Sequence, residues 1–130
     1  MTGYALSATI DRDFDATVAD VKAALGDQGF GVITEIDMSA TLLAKLGVEV
    51  DRQVILGACN PGFAHRALQA EPSIGLLLPC NVVVRATPDG TVVEMIDPEM
   101  MRTLSGNPAI GDVADEVRTS LTAALAAVAG

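Results

Sequence analysis

"CNVVVRATPDGTVVEMID", Cys80 to Asp97, decides the fold. Two β-rich runs, "CNVVVRA" and "TVVEMID", flank "TPDG", where Gly90 supplies the backbone angle that a tight turn needs. A hairpin forces antiparallel pairing, so a wholly parallel βαβ sheet is excluded. Strand alternation sets Cys80, Val82 and Val84 on one face and Asn81, Val83 and Arg85 on the other. If Arg85 meets solvent, Cys80 points inward.

Upstream, "GYALSATI" alternates and predicts a first strand with Tyr4, Leu6, Ala8 and Ile10 on one face. Phe14, Val18, Val21 and Leu25 follow at helical spacing, with Asp13 as N-cap and Gly29 as terminator. "GVITEI", from Gly31, predicts a strand that places Val32, Thr34 and Ile36 together. "DMSATLLAKLG" predicts a short helix ended by Gly47, and "RQVILGAC" a mostly apolar strand. "NPGFAHRALQAE" starts a helix, with Asn60 as cap and Pro61 in the first turn. Asp97 and Pro98 repeat that order before another short helix. Ile110, Val113, Val117, Leu121, Leu125 and Val128 mark a long C-terminal helix whose early turns carry Asp112, Asp115 and Glu116, which suits the helix dipole. The expected fold is therefore α+β: one single domain over residues 1–130, with a mainly antiparallel sheet and two long helices on one face. The second sheet face needs cover too, and a homodimer would provide it.

The chain has 130 residues, half of them apolar, and a formal net charge of −9. That composition suits one packed domain and excludes a disordered chain. The eight Lys and Arg residues are scattered, so nucleic acid and anionic membranes are not expected partners. The first residues lack the pattern of a signal peptide, and the apolar run around Leu76–Val84 is too short to span a bilayer. A cytoplasmic location is expected, where two cysteines are free thiols rather than a structural disulfide.

Both cysteines stand beside an asparagine and within two residues of a proline, in "LGACNPG" and "LLLPCNVVVR". Cys59 precedes a helix N-terminus, which favours the thiolate, while burial in an apolar strand disfavours it. Cys80 lies at a strand mouth, because Pro79 cannot donate within a ladder. Packing and capping alone would account for both stretches. The sharper alternative is a shared site, with Cys59 and Cys80 as candidate reactive groups and Asn60, His65, Arg66, Asn81 and Arg85 as candidate ligand-binding residues. Two neighbouring thiols could form a reversible disulfide, carry a persulfide or hold a soft metal, yet the close Cys pairs of zinc sites are missing. No metal is assigned on these grounds, and no cofactor is identified. Asp97 and Glu99 are explained as cap and first-turn residues. "GFGV" has neither the Walker nor the Rossmann spacing.

The stretch "GACNPGFAHRALQAEPSIGLLLPCNVVV", with "YALS", "VITEIDM", "LGV" and "DP", resembles the bacterial and archaeal family catalogued as domain of unknown function 302. The resemblance is most specific at Gly57–Pro61 and Leu78–Asn81. It implies a compact β-α-β4-α fold of the TATA-binding-protein-like kind, with short extra helices, and homodimers. It carries no agreed activity and so assigns no role to Cys59, Asn60, Pro61 or Cys80. Three functions remain open on the residues: a homodimeric module binding a small ligand between the two Cys-Asn segments, a thiol-dependent enzyme or sulfur carrier using Cys80 and Cys59 with His65 or Arg66 lowering a thiol pKa, and a purely structural or interaction role.

Overall fold

A computed structural model describes residues 3–130. Five strands form one sheet in the order β1-β5-β4-β3-β2: β1 Ala5–Ile10, β2 Gly31–Asp37, β3 Gln53–Cys59, β4 Cys80–Thr87 and β5 Gly90–Ile96. Every neighbouring pair is antiparallel. Helix α1 spans Phe14–Asp27, α2 Met38–Leu46, α3 Pro61–Ala70, α4 Glu99–Ser105 and α5 Pro108–Ala129. The chain order is thus β-α, four strands, then the long α5, with short helices between. The hairpin required one antiparallel pair and the expected sheet was mainly antiparallel; the observed sheet is antiparallel throughout. The sequence reading passed over a 3-10 turn, Pro72–Leu77, that runs up to Leu78 and Pro79.

Cross-strand partners share a face, so the register defines both sheet surfaces. Leu6, Met95, Val82 and Leu56 form one apolar row, and Ala8, Val93, Val84 and Val54 the next. Helices α1 and α5 cover these rows. Val21 and Leu25 of α1 and Ile110, Val117 and Leu121 of α5 are buried in the same core as Val82 and Val84. Each such fully buried side chain contributes about 1.5–3 kcal/mol relative to exposure. The reverse face carries the row Ser7, Glu94, Val83, Ile55 and Ile36. There Ile36 is 45% exposed, and Arg85 forms an ion pair with Glu94 at 3.1 Å.

One expected face assignment fails. Val32, Thr34 and Ile36 do not lie together, because a bulge falls between Val32 and Thr34. Val32 pairs with Ala58 on the helix side, whereas Thr34 pairs with Gly57 and Ile36 with Ile55 on the reverse side. An extra residue, Ile33, shifts the alternation by one, and plain period-two counting has no means of registering it. Ile33 is left 62% exposed.

The caps follow the residues. Asp13 Oδ1 accepts from the Ala16 amide at 2.7 Å, and Gly47 closes α2 with φ 66°. Asp97 accepts from the Glu99 amide at 3.0 Å, although α4 begins at Glu99 itself. Asn107, not singled out in the sequence, caps α5 through the Ala109 amide at 3.0 Å. At the hairpin, Gly90 has φ 137°, and a Cβ there would come within 2.8 Å of the Ile10 carbonyl oxygen.

Candidate functional site

Strand β3 ends at Cys59 and β4 begins at Cys80, at the same end of the sheet. Ala58 pairs with Cys80, and Cys59 pairs with Gly31 of β2. Asn60 then turns the chain into α3. Its Oδ1 accepts from the Gly62 amide at 3.1 Å and the Phe63 amide at 3.3 Å. The room for that side chain comes from Gly29, at φ +83°, where an added Cβ would stand 3.0 Å from Asn60 Nδ2. On the other side Pro79 immediately precedes β4, and the Leu78–Pro79 peptide is cis. Pro79 lies over Gly57: a Cβ on Gly57 would approach Pro79 Cγ to 2.8 Å and Thr34 Oγ1 to 2.1 Å.

These connections border a half-open cavity of about 280 Å³ between the sheet end, α3, α4 and α5. Both cysteines and Asn60 line it. The remaining wall is hydrocarbon, in which Phe30, Phe63, Leu78, Met101, Val113 and Val117 are prominent. The rings of Phe30 and Phe63 stand 6.4 Å apart and tilted by 50°, so they form one corner rather than a stack. Cys80 is 6% exposed, and Cys59 is half-buried. Burial pushes the Cys80 thiol up to about 11, and the proximity of Cys59 adds to the shift. Cys80 therefore remains a protonated thiol at neutral pH.

Other candidates lie elsewhere. His65 is exposed on α3 and lies outside the cavity wall. Arg66 turns to Glu116 of α5 at 2.5 Å, and this hydrogen bond raises the guanidinium pKa. Neither residue stands against the cysteines, which corrects the expectation that one of them lowers a thiol pKa. Their positions in α3 explain it: Ala67 is the residue of that helix that is buried, and His65 and Arg66 fall on its exposed side. Asn81 and Arg85 belong to the reverse face of β4, as alternation requires, and line a separate groove with Gln53, Val83 and Glu94, while Asn81 also borders a recess formed by Tyr4, Leu76 and Leu104. The expected single cleft is thus divided by the sheet. The sequence reading missed Phe30, Met101 and Val113 as cavity residues. Their helix- and strand-like spacing marks them as core, and only the tertiary gap beside them distinguishes wall from core. Among the described residues, no three His, Cys, Asp or Glu side chains converge at metal-binding positions, and no helix is long and apolar enough to cross a membrane.

Fold and site define an α+β domain with helices on one side of an antiparallel sheet and an apolar cavity at its cysteine-bearing end. The family model described as Domain of unknown function DUF302 matches residues 6–128, and the chain belongs to that family. It is similar over its length to a solved structure, the crystal structure of uncharacterized conserved protein DUF302 from Bacillus stearothermophilus. That likeness has 27% sequence identity and a TM-score of 0.90, covering 97% of this chain and 98% of that one. No curated protein matches.

Proposed function

We propose that the protein is a binding module that takes up a small apolar molecule in the cysteine-lined cavity, and that it works as a pair of identical chains joined through the open sheet face. One observation carries the ligand reading: a gap of about 280 Å³ whose wall is almost wholly hydrocarbon. It is about twice the ~150 Å³ cavity known to take up benzene, so it suits a ligand of about a dozen non-hydrogen atoms. The protonated state of Cys80 supports binding over thiolate chemistry at that residue. Asn60 and the two thiols are the polar groups available to orient a ligand. Arg85 and Asn81 lie outside the wall of this cavity.

Pairing is supported by the row Val83, Ile55 and Ile36 on the face opposite α1 and α5. Its charges are one of each sign, Arg85 and Glu94, already paired. A second copy therefore meets that face without unbalanced charge, despite the net charge of −9. The one-sided helical layer over an antiparallel sheet is also what supports a TATA-binding-protein-like arrangement.

Titration with hexanol, followed by nuclear magnetic resonance, tests the cavity. Saturable shifts are expected at Phe30, Phe63 and Cys80, and Ala64→Phe, which fills the cavity from α3, should abolish them. A folded protein whose cavity signals never saturate overturns the ligand reading. Light scattering tests the pairing: a lone monomer at micromolar concentration removes it.

A further inference from the structure

A second cavity, of about 330 Å³, adjoins the first at the same end of the sheet. Leu76, Leu77, Ile96, Met100 and Leu104 form much of its wall. Leu78, Pro79, Cys80 and Met101 belong to the walls of both cavities. The two recesses therefore share part of one wall. Beyond it, Leu76 is 88% exposed, Leu104 63% and Tyr4 56%. Large apolar side chains left in water beside an apolar recess mark a surface that something covers.

Building on the apolar-cavity reading, we propose that the two cavities are one elongated site for an unbranched aliphatic chain ending in an uncharged polar group, with a long-chain alcohol as its simplest form. Three observations point there. The two recesses adjoin across the Leu78–Cys80 segment that lines both, so a ligand reaching from one to the other must be extended, as a chain is and a compact ring system is not. The partition includes Met101, whose unbranched thioether repacks easily around a threading chain. Finally, among the described residues no charged side chain lines either cavity. A carboxylate or phosphate head would enter without a cation to meet it, in a chain that already carries −9. An uncharged head is served by the exposed Asn81 amide and the Tyr4 hydroxyl of the second cavity, each able to donate and accept.

Calorimetric titration of the full chain with hexanol, dodecanol and dodecanoate tests this. Hexanol fits the cysteine-lined cavity alone. Each further buried methylene strengthens binding about fourfold, so dodecanol should bind about a hundredfold tighter if three or four of its six further methylenes are buried, and about four-thousandfold if all are. Leu104→Lys, at an exposed position, should bring dodecanol down towards hexanol, and dodecanoate should bind more weakly than dodecanol to the unaltered chain. Equal affinity for the two alcohols overturns the elongated site and leaves the compact cavity standing. Dodecanoate binding more tightly than dodecanol overturns the uncharged head. Binding of neither alcohol overturns both the elongated site and the cavity reading beneath it.

Discussion

Ile55 and Leu56 are neighbours in β3 and live in different surroundings. Leu56 is fully buried between Val82 and the helical layer, while Ile55 lies between Ile36 and Val83 on the face opposite α1 and α5. The same strand thus carries a finished core on one side and an unfinished surface on the other. The difference shows which side chains hold the monomer together and which are free for something else. Removing Leu56 should cost far more. Leu56→Ala is expected to lower unfolding free energy by about 3–4 kcal/mol, the cost of lost burial plus a cavity. Ile55→Ala should cost about a third of that in the isolated chain. Urea denaturation of the two variants measures the gap, and equal losses would mean that the reverse face is as well packed as the core.

Cys80 and Cys59 sharpen the contrast at the end of the sheet. The Cys80 thiol is raised from its ordinary 9.0 to about 11 by burial. Below pH 9 both folded and unfolded chains keep this proton, and the full stability is present. Between about 9 and 11 the unfolded chain releases it and the folded chain does not. Stability should therefore fall with rising pH in that window, by about 1.4 kcal/mol per unit from this group. Comparing Cys80→Ala with the unaltered chain isolates it, because other titrating groups are common to both. An identical pH slope would show that Cys80 is not held in hydrocarbon. Native alkylation should accordingly reach Cys59 well before Cys80.

Gly57 marks where the two faces are linked to the site. On the reverse face it has no space for a side chain, since Thr34 Oγ1 and Pro79 Cγ close in on it. Gly57→Ala should displace the Pro79 segment and cost about 2 kcal/mol, within the range for overpacking. Thr34→Ala should recover part of that loss, which a backbone effect of the substitution would not allow.

Much of this was legible in the residues, for reasons that can be named. Strand alternation put Cys80 inward and Arg85 outward, because β4 is regular and period two survives along it. Asn60 and Pro61 announced the start of α3, because capping chemistry is local. The bulge at Ile33 was not legible, since one inserted residue changes every later face without leaving a turn signal. His65 and Arg66 follow Cys59 within two helical turns and yet point away, because α3 rotates them off the buried side. The cavity itself was hidden. Phe30, Met101 and Val113 come from three separate elements, and a gap between them is a property of their packing rather than of any one spacing.

The cap at Asn60 should matter less than the packing around it. Asn60→Ala removes an acceptor shared by two amides at the start of α3 and should cost about 1 kcal/mol. Asn60→Asp should keep the cap and most of the stability, read by thermal unfolding. A loss with aspartate as large as with alanine would show that the Asn60 amide nitrogen, beside Gly29, matters more than the cap.

The smallest effect on the single chain is also the most informative about its open side. Ile36 ends the reverse-face row, stands before α2 and is 45% exposed. Ile36→Lys should change the stability of the isolated chain by less than about 0.5 kcal/mol, as surface substitutions do. Buried in a paired interface, the same ammonium would lose its water without a partner to replace it, which opposes association. Light scattering should then report a shift from dimer to monomer while the unfolding curve at low protein concentration stays in place. A dimer that survives Ile36→Lys would move the contact off this row, to the α4 end where Leu104 and Leu76 are exposed. In that case dodecanol and the second copy would compete for one surface, and adding the alcohol would dissociate the pair.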